Sequence, residues 1–451
     1  MRRTRARVAL ALIAVATPIA ATGCAASSSG SSSGPVTLTY ALWDQTQQAG
    51  YQACADAFTT QNPDIKIKIT QAAWGSYWQN LTTEMTAGDA PDVFTDHVEY
   101  YPQFVADNQI LDISADVATS GVNLNQYQPG LASLWVDNGK RYGLPKDWDT
   151  EGLVYNAKLL KAAGVNPSSL DDLTWNPTNG GTFEKLIAEL TVDDNGNNGL
   201  SPKFDKNHVK VYGFVPTYDD GSTGQNGWGD LAAENGFSFL PKPFSTDYDY
   251  NSPALAQTIS WFAGLSAKGY APPYSKSSSL GVQTVLDSGQ GAMTILGSFD
   301  VSSYTGPTAK QSYGFAELPI GPDGRKSFVN DLSDAIWAGT KYPQQAWKWV
   351  EYLASPACQN IVATKGVIFP AITEATKKAE TARIAEGQDI TPFVDEAEAP
   401  GETFTYPISQ HEDQITTEVQ SQLDAVWLGQ SSAASALGTA QNAVNGYMSQ
   451  P

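Results

Sequence analysis

Tryptophan beside charged residues or glycine is the pattern in this sequence that could support ligand chemistry. The chain has 12 tryptophans and 20 tyrosines, and several of the tryptophans lie outside apolar runs. They occur in the segments Trp43-Asp44, Trp74-Gly75, Trp78-Gln79, Lys146-Asp147-Trp148-Asp149 and Gly227-Trp228-Gly229. Such neighbours indicate partly exposed rings, and core packing is the alternative for each tryptophan alone. A flat apolar face with hydrogen-bonding groups around it suits a sugar ring, which has an apolar C–H face and a polar rim.

Alternating strands and helices must position these residues. The predicted strands are 36–42, 65–70 and 91–95. A helix follows each of the first two strands, and this order indicates an α/β fold with a mainly parallel sheet. Ligands of such sheets lie beyond the carboxyl ends of the strands. Because Trp43-Asp44 and Asp96-His97 both follow strand ends, the sequence predicts a binding site at that edge.

Two other functions fit an acidic, aromatic extracellular chain. A glycosidase needs two carboxyl groups at a defined separation across the scissile bond. The acids that could supply them are Asp96, Glu99, Asp147, Asp149 and Glu151. The chain has 47 acidic residues, so some are expected to lie close together by chance. A structural adhesin is the second rival, and incubation with oligosaccharides separates cleavage from binding without turnover.

The first 35 residues read as a secretion and anchoring segment. A basic head precedes an apolar run at 8–21, which is too short for a typical membrane-spanning helix. Small residues directly before Cys24 resemble a bacterial lipobox, which implies a signal peptide at 1–23 and a lipidated Cys24. Residues 24–35 then form a Ser/Gly tether, placing the protein on the outer face of the cell membrane. An ordinary secreted protein is the alternative.

Composition excludes several classes of partner and cofactor. The formal charge is −20, which argues against nucleic acid because phosphate backbones need Lys and Arg. The three histidines are scattered and there is no HExxH or CxxC pattern, so we expect no metal site and no cofactor. The run 193–197 faintly resembles a calcium loop, but Asn198 stands where such a loop needs glycine, which favours a solvated turn.

Five segments in the expected order resemble one protein family. They are 91–94 (PDVF), 142–145 (YGLP), 152–156 (GLVYN), 291–298 (GAMTILGS) and 346–356 (AWKWVEYLASP). Together they are similar to the family 1 extracellular solute-binding proteins. The resemblance implies a two-lobed, periplasmic-binding-protein-like (type II) fold with a ligand cleft between the lobes. It also implies a monomeric, non-enzymatic receptor that delivers a neutral sugar or oligosaccharide to the permease of an ABC transporter.

The resemblance also implies lobe boundaries. The first lobe covers 36–158 with 332–374, and the second covers 159–331 with 375–451. Cys54 and Cys358 both fall in the first lobe, which favours a disulfide between them over two separate buried thiols.

Placement at strand ends and cleft loops selects the candidate site residues. The candidates for stacking on sugar rings are Trp43, Trp74, Trp78, Trp148, Trp228 and Phe299. The candidates for hydroxyl contacts are Asp44, Asp96, His97, Glu99, Lys146, Asp147 and Asp331. Trp148 and Trp228 are the strongest aromatic candidates, because acidic or glycine neighbours are expected to leave their faces open. Carboxylates accept hydrogen bonds from vicinal hydroxyls, and each charged bond contributes about 1.5–3 kcal/mol.

Overall fold

The structure is a computed structural model, and it describes residues 35–219, 221–306, 309–365, 368–399 and 401–450. The predicted signal peptide, Cys24 and the tether through residue 34 lie outside the described residues. From Val36 onward the chain forms one unit. Across the described ranges, no helix combines the length and apolar character needed to cross a bilayer.

Thirteen strands and eighteen α-helices are described. The strands are β1 (Val36–Leu42), β2 (Ile65–Gln71), β3 (Val93–His97), β4 (Val136–Asp137), β5 (Lys140–Arg141), β6 (Pro145–Asn156), β7 (Val192–Asp193), β8 (Val209–Phe214), β9 (Gly291–Gly297), β10 (Tyr313–Ala316), β11 (Ser327–Ile336), β12 (Phe369–Pro370) and β13 (Thr403–Thr405). The helices are α1 (Gln48–Gln61), α2 (Trp74–Ala87), α3 (Tyr101–Ala106), α4 (Ser114–Ser120), α5 (Leu131–Leu134), α6 (Ala157–Ala163), α7 (Gly181–Leu190), α8 (Gly229–Glu234), α9 (Pro253–Ala267), α10 (Tyr274–Leu280), α11 (Val282–Asp287), α12 (Val301–Thr305), α13 (Pro343–Leu353), α14 (Pro356–Ala363), α15 (Thr373–Ala385), α16 (Thr391–Glu398), α17 (Glu412–Trp427) and α18 (Ala433–Met448).

The main sheet has the order β2-β1-β3-β11-β6-β9-β8-β7. Strand β1 is parallel to both β2 and β3, as the sequence predicts. Strand β6 is antiparallel to β11 along its first half and antiparallel to β9 along its second half. The long strands β6 and β11 therefore carry the chain between the parallel set at one end of the sheet and the strands β9, β8 and β7 at the other.

Local sequence explains the elements that hold the site. The alternation in 65–70 (IKIKIT) leaves Lys66 and Lys68 exposed on β2 while Ile65 is buried, as expected for a strand with one solvated face. Helix α2 ends at Gly88, whose φ of 80° and N–H bond to Glu84 O form a left-handed cap. A helix after the second strand is what the sequence predicts.

The structure describes the cysteine pair Cys54 and Cys358 and the run 193–197 that resembles a calcium loop. Cys54 on α1 and Cys358 on α14 form a disulfide with a Cα–Cα distance of 5.2 Å, so these helices are covalently tied across the chain. In the loop after β7, the Asp193 carboxylate accepts hydrogen bonds from the backbone N–H groups of Asn195, Asn197 and Asp205. That carboxylate orders its own turn, and the described residues contain no cluster of metal ligands.

Candidate functional site

A cavity of about 460 Å³ lies at the carboxyl ends of β1, β2 and β3, where the sequence predicts a site. Its lining residues from the sequence candidates are Trp43, Asp44, Trp74, His97, Asp147, Trp148 and Phe299. The other lining residues are Gln45, Thr46, Gln47, Gln71, Ala73, Asp149, Gln225, Asn226, Asp300, Ser302, Ser303, Asn330, Leu332 and Ile368, of which the sequence names only Asp149, as a possible glycosidase acid. Residues from widely separated parts of the chain therefore meet in one cavity.

Two tryptophans and a histidine form one aromatic wall. Trp43 follows β1 and Trp74 begins α2, and their rings meet edge to face with centroids 5.1 Å apart. The His97 ring, at the end of β3, lies 5.6 Å from the Trp74 ring. Trp74 is 43% exposed, so it presents a large apolar surface. Burial lowers the pKa of His97 to about 3, which makes the imidazole neutral at physiological pH.

Trp148 lines the cavity and is also packed in the core. It is 2% exposed, its ring stacks on Phe369 with centroids 4.9 Å apart, and its Nε1–H donates to Thr376 Oγ1 at 3.2 Å. The expectation of an open face beside acidic neighbours therefore does not describe this ring. Phe299 lies half-buried in the turn after β9 and also lines the cavity.

The two β6 aspartates supply buried carboxyl groups. Asp147 Oδ2 accepts a hydrogen bond from Tyr51 OH at 2.9 Å. Burial raises the pKa of Asp147 to about 6, and the nearby Lys146 opposes part of that rise. Asp149 accepts from Gln225 Nε2 at 3.1 Å and from Asn330 Nδ2 at 3.2 Å. Burial, with repulsion from Asp147, raises the pKa of Asp149 to about 8.

Gln225 ties the cavity wall to the neighbouring elements. Its Nε2 also donates to Glu151 Oε1 at 2.9 Å, and its Oε1 accepts from Tyr406 OH. Nothing in the local sequence around Gln225 signals this role, because the amide works through partners that are distant in the chain. Its neighbour Asn226 accepts from Gly297 N at 2.6 Å, which holds this loop against the end of β9.

Lys146 is placed differently from its sequence assignment. Its Nζ donates to Thr95 Oγ1 at 2.7 Å and Tyr40 OH at 2.9 Å, and lies 3.3 Å from Asp334 Oδ1. The ammonium also lies 4.1 Å from the centroid of the Tyr51 ring. Because the side chain is 1% exposed and does not line the cavity, it stabilises the core beneath the site instead of facing a ligand.

Trp228 is buried in the core and does not line the cavity. It is 1% exposed, and a Cβ built on Gly224 would lie 2.2 Å from its ring. The adjacent glycines are closely packed as well: a Cβ on Gly229 would lie 2.3 Å from the Phe328 ring, and one on Gly227 would lie 2.8 Å from Thr217 O. Such close approach is a second reason for glycine beside tryptophan. The glycine neighbours predict an exposed Trp228 ring, whereas the structure shows a closely packed one.

Three acidic candidates also lie outside this cavity. Asp96 and Asp331 are fully buried; Asp96 accepts from His97 N, and Asp331 accepts from Trp135 Nε1. Burial raises the pKa of both carboxyl groups well above the usual range. Glu99 Oε2 lies 3.8 Å from His97 Nδ1 behind the cavity wall. Strand ends thus predict the region of the site, but not which side chains point into the cavity.

Trp78 lines an outer groove next to the cavity. Its ring stacks on Tyr100 with centroids 3.9 Å apart and planes 11° apart. The groove, of about 860 Å³, runs between α2 and the start of α17 and includes Thr82 and Asp413. Trp74 lines both the groove and the cavity, so both volumes adjoin this residue.

The raised pKa of Asp149 predicts a pH effect on stability. Its unfolded pKa is about 3.9, so its stabilising effect is complete below about pH 4 and is lost as the pH rises through about 8. Over that window the carboxyl group reduces the free energy of unfolding by up to about 1.4 kcal/mol per pH unit. We expect Asp149→Asn to flatten the decline between pH 5 and pH 8, measured by thermal unfolding.

The exposed Asp64→Asn, at the amino end of β2, is the matched control. It removes the same charge far from the cavity and should leave the decline unchanged. An Asp149→Asn profile that parallels the parent would contradict this assignment of the pH effect.

The α/β sheet with a cavity at its strand ends is the arrangement expected of a ligand-binding protein. A family model described as "Bacterial extracellular solute-binding protein" matches residues 53–388. The chain belongs to this family, and the family expected from the sequence is confirmed.

The chain is also similar to individual proteins. Maltodextrin-binding protein MdxE of Bacillus subtilis (strain 168) is 26% identical over 355 residues, covering 78% of this chain and 76% of that protein. The structure of ABC substrate-binding protein Lmo0181 from Listeria monocytogenes, in complex with cycloalternan, has a TM-score of 0.78 at 19% identity, covering 92% of this chain and 100% of that one. Mycobacterium tuberculosis UspC has a TM-score of 0.73 at 24% identity, covering 91% and 100%. The likeness to these structures confirms the predicted two-lobed α/β fold.

Proposed function

We propose that the protein captures a sugar or oligosaccharide outside the cytoplasm and delivers it unchanged to the permease of an ABC importer. The observation that carries the proposal is the cavity at the strand ends, which is lined both by the exposed Trp74 and by the buried Asp147 and Asp149. Apolar ring faces and hydroxyl acceptors are the two groups that a sugar needs. The maltodextrin in the name of MdxE and the cycloalternan bound to Lmo0181 support this class of ligand.

The outer groove supports a ligand longer than one sugar unit. A chain leaving the cavity over Trp74 would reach the threonines on the exposed side of α2 and Asp413 on α17. We expect affinity to rise by about tenfold from a monosaccharide to its tri- or tetrasaccharide, measured by calorimetry on a length series. Thr83→Trp, which narrows the groove, should reduce the gain for the longer sugars without changing monosaccharide binding. Equal affinities along the series would contradict a role for the groove.

Incubation with the bound oligosaccharide tests the absence of turnover. A glycosidase would use a carboxyl pair such as Asp147 and Asp149. Both groups are held by hydrogen bonds from protein side chains, and the chain belongs to a family of binding proteins. We expect chromatography after prolonged incubation to recover the ligand intact. Shortened products that disappear in Asp149→Asn would favour the hydrolase.

The anchoring and the lobe boundaries are part of the same proposal. Cleavage before Cys24 and lipidation of its thiol would hold the binding domain at the membrane through the tether 24–35. Cys24→Ser should release the protein into the medium, and mass spectrometry of the natural N-terminus should show the lipid. The boundaries 36–158 with 332–374 and 159–331 with 375–451 predict a hinge where β6 and β11 cross between the lobes.

A further inference from the structure

The candidate cavity is strongly acidic and has no counter-charge on its walls. Four aspartates line it, Asp44, Asp147, Asp149 and Asp300. Among the described residues, no lysine or arginine lines it. Its one basic group is the His97 imidazole, which burial keeps neutral. Burial raises the pKa of Asp149 to about 8 and the pKa values of Asp147 and Asp300 to about 6, so Asp149 adds little negative charge near pH 7. No cation on the cavity walls balances the charge of the remaining aspartates.

The nearest lysine in the sequence does not supply this charge at the cavity surface. The Lys146 ammonium is bonded to Tyr40, Thr95 and Asp334 in the core. It lowers the pKa of Asp147 in part, but the pKa of that carboxyl remains raised. The same ammonium is paired with Asp334. That pairing offsets part of the positive potential that Lys146 would otherwise produce at the cavity aspartates.

Two of the aspartates also have acceptor oxygens left over. Asp147 uses Oδ2 for Tyr51, and Asp44 uses Oδ1 for the N–H and the hydroxyl of Thr46. No donor within the described part of the chain reaches Asp147 Oδ1 or Asp44 Oδ2. Asp300 is exposed at the rim of the cavity. These oxygens are available to a ligand.

Aromatic rings stand beside these oxygens. The cavity is lined by Trp43, Trp74 and Phe299, and by Trp148, whose ring is largely covered by Phe369. Ammonium groups bind over aromatic faces and donate charged hydrogen bonds to carboxylates. Neutral hydroxyls also bind carboxylates, but they leave the net charge of the cavity unchanged, whereas an ammonium neutralises part of it.

From this arrangement we infer that the preferred ligand carries a protonated amine, as an amino sugar or an oligosaccharide with a basic unit does. The inference rests on the proposed sugar-binding function and narrows it. The ammonium lies among the cavity aspartates while the sugar rings contact the aromatic wall. The preference comes from charge, so it weakens as salt increases.

Calorimetry on matched ligand pairs tests the inference. The β-linked pair is cellotriose and the glucosamine trimer. The α-linked pair is maltotetraose and acarbose, whose inter-ring amine replaces a glycosidic oxygen. We expect the amine-bearing member of a pair to bind at least tenfold more tightly at low salt, and Asp44→Asn to reduce that advantage several-fold. Asp64→Asn, which removes the same charge at the far end of β2, should leave the advantage intact.

Each of the other outcomes would contradict the amine preference, the sugar-binding function or both. Equal or tighter binding of the neutral members would overturn the amine preference and leave sugar binding standing. An advantage that Asp64→Asn reduces as much as Asp44→Asn would show attraction by overall charge, and would also overturn it. Spermidine binding as tightly as the amino sugars, with no neutral sugar bound, would overturn the sugar-binding function itself. Binding of none of these ligands would contradict both.

Discussion

Lys146→Met is expected to lower the free energy of unfolding by about 3–5 kcal/mol, because it leaves Asp334 as a buried charge without its partner. Asp334 is 2% exposed and has Lys146 Nζ at 3.3 Å. The ammonium also holds Tyr40 and Thr95, so the substitution loosens contacts among β1, β3, β6 and β11. Chemical denaturation measures the change.

Two further variants separate a structural role for Lys146 from a ligand contact. Lys66→Met makes the same change on an exposed position of β2 and should alter stability by less than about 0.5 kcal/mol. Replacing Asp334 by leucine together with Lys146→Met should recover much of the loss, since a buried ion pair can often be exchanged for apolar residues. A Lys146→Met protein of full stability that failed to bind sugar would instead favour the role assigned from the sequence.

Trp74→Ala is expected to weaken sugar binding by about thirtyfold, close to 2 kcal/mol, as for a tryptophan at the centre of a binding surface. Its ring contacts those of Trp43 and His97, and the residue lines both the cavity and the outer groove. Because 43% of the residue is exposed, the thermal midpoint should change little. Calorimetry and thermal unfolding on the same sample measure both effects.

Trp74→Phe is the matched control, since it keeps a flat ring at the same position and should retain most of the affinity. Trp228→Ala provides the opposite contrast, because its ring is buried and does not line the cavity. The main effect of Trp228→Ala should therefore be a lower stability of the fold. Normal affinity in Trp74→Ala would contradict the placement of the site.

Strand ends could be predicted from the sequence because they follow from local patterns. The alternation of β2 and the glycine that ends α2 depend on residues within a few positions of each other. Trp43 and Asp44 at the end of β1 could therefore be assigned to the site region before the fold was known. The resemblance to a family added the order of the lobes, which no local pattern contains.

Side-chain direction could not be predicted, because it depends on partners far along the chain. Lys146 and Asp147 are adjacent in β6, yet Lys146 binds Asp334 in the core while Asp147 lines the cavity. Gln225 was missed, and Asp149 was named only as a possible glycosidase acid, for the same reason: Asp149 accepts hydrogen bonds from Gln225 and Asn330, which are distant in the chain. Trp228 shows that glycine neighbours serve close packing as well as exposure.

The most direct test of reversible sugar binding at the strand-end cavity is a calorimetric titration of the full protein with mono- and oligosaccharides, with and without an amine. We expect one sugar to bind per chain in a saturable way, and dialysis should recover that ligand unchanged. We also expect Trp74→Ala to weaken this binding. Binding confined to peptides or metal ions, with no heat from any sugar, would contradict the account.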